Sequence, residues 1–150
     1  MLARLALTTV LAFVVFAATP SAAGISKNPK AQKATAFLDM VFNQKKVKEG
    51  FDTYVGDKYI QHNPIAADGK EAAVTVLSQV LQQMPGWSYE FKHAYVDGNI
   101  AIVHSLVRLK ADDRGMAVVD MFRFEKGKVV EHWEVVQPIP EKSANSNTMF

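Results

Sequence analysis

The chain has 150 residues, a formal net charge of +2, 49% hydrophobic residues and no cysteine. This near balance of charge, with no clustered basic face, excludes the electrostatic footprint of a nucleic-acid binder. The lack of thiols excludes a disulfide framework and a lipidated cysteine, and the length suits one domain.

Residues 1–23 read as a cleavable export signal. Arg4 gives a positive start, and Leu5 to Ala18 is apolar apart from Thr8 and Thr9. Pro20 and the small residues Ser21, Ala22, Ala23 and Gly24 follow, which places cleavage after Ala23. The apolar run is several residues short of the roughly 20 that a spanning helix needs, so no stable membrane anchor is expected. The expected location is secreted or periplasmic, with the working domain over residues 24–150. Loss of Arg4 takes the formal charge from +2 to about +1.

Asn28 and Pro29 mark a helix start, a capping side chain followed by proline at the first helical position. Ala31, Ala34, Phe37, Leu38, Val41 and Phe42 then recur at steps of three and four, the stripe of a helix of about four turns. Lys45, Lys46 and Lys48 read as a solvated turn. Val47, Phe51 and Tyr54 carry a shorter second helix ending near Gly56. Tyr59 to Pro64, YIQHNP, is a short extended piece stopped by proline. Asp68 and Glu71 have the spacing of a capping box. Val74, Leu77, Leu81 and Met84 form the stripe of a third helix that breaks at Pro85-Gly86.

From Trp87 the period becomes alternating. Strands are expected over Ser88 to Val96, Asn99 to Leu109, Met116 to Phe124 and Val129 to Gln137. Asp97-Gly98 and Lys126-Gly127 turn the hairpins. Helices first and an antiparallel meander afterwards give an α+β class.

With Glu125 opposite Lys128 and strict alternation, Val118, Asp120, Phe122 and Phe124 share one face with Val129, Glu131, Trp133, Val135 and Gln137. Val119, Met121 and Arg123 share the other with Val130, His132, Glu134 and Val136. The first face is the more aromatic and is expected to look toward the helices, on the condition that the register is unbroken. A carboxylate among Phe122, Phe124 and Trp133 is costly unless it is paired or wet. Asp120 is therefore either a proton shuttle in a cavity or a structural acid bonded to a hydroxyl, the Trp133 indole or a histidine.

His104 lies mid-strand among Ile100, Ile102 and Leu106, the bulkier face of its strand, and is either a hydrogen-bonded core residue or a titrating group. His62, beside Asn63 and Pro64, is placed on a pocket rim, and His93 on the surface. No histidine pair has the spacing of a zinc motif, so no metal and no cofactor are expected. A cation site from His62, His104 and Asp120 would need tertiary convergence. There is no nucleophile elbow and no glycine-rich phosphate loop.

YIQHNP, the following DGKEA and the C-terminal block DMFRFEKGKVVEHWEVVQPIPEKSANSNTMF resemble the SnoaL-like, polyketide cyclase-like group of the nuclear transport factor 2-like superfamily. The resemblance covers residues 30 to 150. It implies a cone in which three N-terminal helices pack on a curved antiparallel sheet around a deep apolar pocket, and a homodimer through the outer sheet face. In the polyketide cyclases an aspartate shortly after the Glu-x-Trp element acts as acid and base. Laid onto Glu131 to Trp133, that position falls at Gln137, which cannot take up a proton as a carboxylate does. Asp120, opposite Trp133 in the unbroken register, is the candidate replacement.

These readings lead to an exported domain that binds a small, mostly apolar molecule, with acid/base chemistry of the isomerase, aldol or cyclase type as the enzymatic expectation. Asp120 would abstract a proton, and His104 or His62 would donate to the developing enolate oxygen. Trp133, Phe122, Gln137 and Asn63 would shape the pocket. The alternative is a non-catalytic periplasmic binding or structural dimeric domain. The closing Met149 and Phe150 are expected to dock on the domain or its dimer partner.

Overall fold

The computed structural model describes residues 24–150, so the expected export signal at residues 1–23 lies outside the described residues. The chain runs β1 (Gly24–Ile25), α1 (Pro29–Leu38), a π-helical turn (Asp39–Asn43), α2 (Val47–Tyr54) and β2 (Val55–Gln61). It continues through α3 (Lys70–Gln83), β3 (Ser88–Asp97), β4 (Ile100–Arg108), β5 (Met116–Glu125) and β6 (Lys128–Pro138).

The first helix begins as its sequence dictates, with Asn28 Oδ1 accepting from the Lys30 amide at 2.9 Å ahead of Pro29. Its stripe Ala31, Ala34, Phe37 and Leu38 is buried. The single four-turn helix expected here instead widens after Leu38 into the π turn, where the Gln44 amide donates to the Asp39 carbonyl at 2.9 Å. The wider turn keeps Val41 and Phe42 buried and aims Asn43 at the sheet. There its side-chain amide closes a ring with the Tyr89 backbone, accepting at 2.8 Å and donating at 3.0 Å.

Lys45 departs from the expected solvated turn. It has φ +60°, and its Nζ donates to the carbonyls of Phe42 and Trp87, tying the π turn to the start of β3. Burial lowers its pKa. The expected capping box is also absent. Gly69, at φ +96°, occupies the N-cap of α3 without a side-chain bond, and Asp68 Oδ1 accepts from the Gln61 amide at 2.8 Å. That bond fixes the end of β2 rather than the start of the helix.

The antiparallel meander β3-β4-β5-β6 is present, with Glu125 opposite Lys128 around Lys126 and Gly127, both at positive φ as a tight hairpin requires. The first hairpin turns on Gly98-Asn99, one residue later than expected. Among the described residues the sheet has six strands, in the order β1-β3-β4-β5-β6-β2. It is mixed rather than wholly antiparallel, because β1 lies parallel to β3 and β2 parallel to β6. Tyr59, Ile60 and Gln61 of the expected extended piece thus belong to a strand that starts as soon as α2 ends.

Helix α1 lies on β3 and β4. Ala31 and Ala34 on the helix and Ala94 and Ala101 on the strands are fully buried, and side chains this small let the two layers approach closely. Helix α3 packs chiefly on α2 and β2, and Leu81 is its one buried residue. Its separation from the sheet opens a cavity in the concave side. On the convex side Phe150 stacks on His104, with ring centroids 5.3 Å apart, and Lys92 Nζ lies 5.3 Å from the Phe150 ring. The C-terminus therefore docks on its own sheet.

Candidate acid–base site in an apolar cavity

The site depends on one irregularity in the last hairpin. Phe124 pairs with Val129, but Arg123 pairs with Glu131, so Val130 is an extra residue, a β-bulge. One inserted residue exchanges the two faces of everything beyond it. Phe122 therefore lies opposite His132 and Asp120 opposite Glu134. The expected pairing of Asp120 with Trp133 is overturned, because Trp133 sits opposite Met121 on the convex face.

The cavity holds about 370 Å³, within the size range of small-molecule sites. Phe37, Phe42, Phe51, Leu77, Val80 and Phe122 are among its apolar walls, and Tyr59, Gln61, Asn63, Tyr89, Asp120, His132 and Glu134 give it a polar end. Asp120, Phe122 and Asn63, all expected at the site, line this cavity. His62, His104, Trp133 and Gln137 are not among its lining residues. Gln137 is exposed near the end of β6. His62 stacks on Trp133 with centroids 4.6 Å apart, and its Nε2 lies 2.8 Å from Glu131 Oε1. His62 and Arg123 together hold the Glu131 carboxyl below its ordinary range.

His104 occupies the convex face beside His93, and burial, with the His93 charge, lowers its pKa. His93 is half-buried rather than superficial, stacked between Tyr95 and His104. The bulkier face of β4 points outward because α1 occupies the other side, where Ala101, Val103, Ser105 and Val107 are buried.

His132 and Glu134 were absent from the expected site, and so was Gln61. Two signals in the sequence mark the bulge: the adjacent valines Val129-Val130 interrupt alternation, and only a bulged register sets Arg123 opposite the oppositely charged Glu131.

The hydrogen bonds of the polar end locate its protons. The Asn63 amide, which can only donate, is 3.0 Å from Gln61 Oε1, so the Gln61 oxygen must face it. His132 Nδ1 lies 3.1 Å from the same oxygen and therefore carries a proton. His132 Nε2 lies 2.9 Å from Asp120 Oδ1. One proton bridges that contact, carried by the imidazole or by the carboxyl. Phe122 stacks on the imidazole with centroids 4.7 Å apart and fixes its plane. Asp120 is 1% exposed, and its Oδ2 has no partner among the described residues.

Glu134 accepts from Asn63 Nδ2. Burial and the Asp120 carboxylate raise its pKa, against smaller opposing effects of His132 and the Asn63 bond. Burial, reinforced by Asp120 and Glu134, also pushes the Tyr59 and Tyr89 phenols far up, so both remain neutral hydroxyls. Among the described residues Asp120, His132 and Glu134 form the one group whose donor atoms converge closely enough to surround a cation, within 4.8 Å. The Nε2 to Oδ1 hydrogen bond engages two of those atoms with a proton instead.

The raised carboxyl of Glu134 has a consequence for stability. Below its usual value of 4.5 the group is protonated in both the folded and unfolded chain. Between that value and the raised one only the unfolded chain is ionised, so stability falls as pH rises through the window. Glu134→Gln keeps an acceptor for Asn63 and removes the titration. The variant is expected to melt above the parent in mildly alkaline buffer, with the difference vanishing on acidification; paired thermal melts across pH check this.

Comparison with known proteins agrees with this architecture. The SnoaL-like domain model matches residues 34–132. A candidate polyketide cyclase from Acidithiobacillus ferrooxidans superposes with TM-score 0.61 at 12% identity, over 73% of this chain and 89% of that one. A candidate isomerase of the SnoaL-like family from Agrobacterium tumefaciens gives TM-score 0.61 at 11% identity, over 73% and 97%. An NTF2-like protein of unknown function from Mesorhizobium loti gives 0.59 at 21% identity, over 73% and 91%. At these identities the likeness establishes the fold, the α+β cone of the nuclear transport factor 2-like proteins, and not the chemistry. A search of curated proteins found no match. With a family match across more than half of its length, the chain belongs to the SnoaL-like domain family.

Proposed function

We propose that this SnoaL-like domain binds a small, mostly apolar molecule in its cavity and moves a proton on it, in chemistry of the isomerase, aldol or cyclase type. The observation that carries the reading is the buried Asp120–His132 pair with Glu134 beside it, at the one polar end of an apolar cavity. Asp120 Oδ2 is the unpartnered atom that abstracts the proton. Glu134, its carboxyl raised by burial and by Asp120, is the donor to the developing enolate oxygen. Two acids held in environments that separate their proton affinities supply the base and the acid of one reaction. The descriptions of similar structures as a candidate cyclase and a candidate isomerase support the same class.

The export pattern read in residues 1–23 of the sequence supports a site of action outside the cytoplasm. The partner in the resemblance's homodimer is a second copy across the convex sheet face, where Tyr95 is 54% and Val135 61% exposed.

The test is proton exchange. Simple enolisable ketones carrying an apolar ring, incubated with protein in D2O, should incorporate deuterium next to the carbonyl. Asp120→Asn should reduce the rate by at least about a hundredfold, the scale of one general base, while leaving the circular dichroism spectrum intact. Exchange that persists undiminished in a folded Asp120→Asn variant contradicts the role of Asp120. Binding without exchange in the parent protein would leave a non-catalytic ligand carrier.

A further inference from the structure

None of the residues lining the cavity is lysine or arginine. The one histidine that lines the cavity, His132, has both ring nitrogens engaged, Nδ1 by Gln61 and Nε2 by Asp120. The cation attached to the cavity wall, Lys45, donates to the carbonyls of Phe42 and Trp87 and is not itself a lining residue. Arg123 is committed to Glu125 and Glu131, and Lys128 Nζ to the carbonyls of Asp52 and Thr53.

At the polar end two carboxyl groups already crowd one another, since Asp120 helps to raise the pKa of Glu134. A negative charge on a ligand there would meet the Asp120 carboxyl and the same crowding that already disfavours ionised Glu134, in a largely apolar setting where repulsion is poorly screened.

The vacancy left at that end is also specific in kind. The proton between Asp120 and His132 lies on the Oδ1 to Nε2 contact. Asp120 Oδ2 is therefore a bare acceptor, buried and without a partner. A buried acceptor of this kind is costly until a donor reaches it. A hydroxyl on the ligand would supply that donor in place of water.

We propose that the cavity selects uncharged molecules, an apolar body bearing a hydroxyl or enol that donates to Asp120 Oδ2, and rejects carboxylates and phosphate esters. The inference rests on the reading of the cavity as a small-molecule site and adds the charge class of what enters it. Asp120 supplies the attraction for the donor, and Asp120 with Glu134 supplies the rejection of anions. A specificity of this sort comes as much from the repulsive element as from the attractive one.

Three bicyclic probes of one shape test it by calorimetric titration near neutral pH: 2-naphthol, naphthalene and 2-naphthoate. The expected order is 2-naphthol tightest, naphthalene about tenfold weaker for lack of the donor, and 2-naphthoate at least about tenfold weaker than 2-naphthol. Glu134→Gln should narrow the gap between naphthoate and naphthol, and the Asp120→Asn/Glu134→Gln double variant, where folded, should narrow it further. Naphthoate binding as tightly as naphthol to the parent protein overturns the charge selection while leaving the cavity a binding site. Failure of all three probes to bind overturns the cavity reading and the selection together.

Discussion

Replacing His132 with alanine is expected to destabilise the protein by about 3–5 kcal/mol, the scale of breaking a buried acid–imidazole pair by removing one partner. Asp120, 1% exposed in the parent, would be left with neither oxygen bonded, since among the described residues Oδ2 has no partner and His132 supplies the only bond to Oδ1. Phe122 would lose the ring stacked on it, and Gln61 Oε1 would keep only the Asn63 amide. Trp133→Ala, one residue along the same strand, should cost less than half as much, because its half-buried ring packs on His62 outside the core. An unbulged hairpin would reverse this order, burying Trp133 and exposing His132. Urea unfolding of the two variants, read at constant m-value, decides between the registers. Adding Asp120→Asn to His132→Ala should recover part of the loss, because the neutral amide removes the stranded charge.

Phe37→Ala is the second substitution with a large expected effect, again about 3–5 kcal/mol, typical of truncating a large core aromatic. Phe37 is 3% exposed and joins three elements of the fold. Its ring meets Phe51 of α2 edge-on at 5.1 Å and Phe122 of β5 at 5.6 Å, with Tyr54 at 6.2 Å. Truncation removes those contacts at once and enlarges a cavity the ring already lines. Against a typical total of about 5–15 kcal/mol for a domain, such a loss leaves a marginal protein. Phe37→Leu retains most of the buried area and should cost markedly less. Thermal melts of the two variants check the difference, and a Phe37→Ala protein that melts with the parent would show that α1 does not anchor the cone.

The features legible in the sequence were those set by local chemistry. Asn28-Pro29 caps α1, the stripe from Ala31 to Leu38 faces the core, and Lys126-Gly127 turns the last hairpin, all as residue type and spacing require. The edge strands were harder to see because their partners are remote. Gly24–Ile25 is two residues long, and Val55–Gln61 pairs with β6 some seventy residues further on. Neither segment advertises that pairing in its own pattern.

For the site, Asp120 stood out as an acid among aromatic residues, and Phe122 and Asn63 accompany it at the cavity. The rest was displaced by two physical facts. Val130 adds a residue to β6, so counting in twos from the hairpin assigns Trp133 to the pocket in place of His132. On β4 the larger side chains point away from the helices, because Ala101, Val103 and Ser105 leave α1 the room to lie close. Bulk was therefore a misleading guide to the inside, and His104 followed it outward.

The arrangement around His132 is the center of this account, and its imidazole nitrogens report on it directly. Nitrogen-15 NMR of histidine-labelled protein, with His132 assigned by comparison with His132→Gln, gives the protonation state of each ring nitrogen. The structure predicts a proton on Nδ1, held by Gln61, that exchanges slowly with water, and an Nε2 resonance shifted by the Asp120 contact and altered in Asp120→Asn. An unprotonated Nδ1, or imidazole resonances that ignore Asp120→Asn, would place His132 outside the cavity and contradict the bulged register on which the site is built.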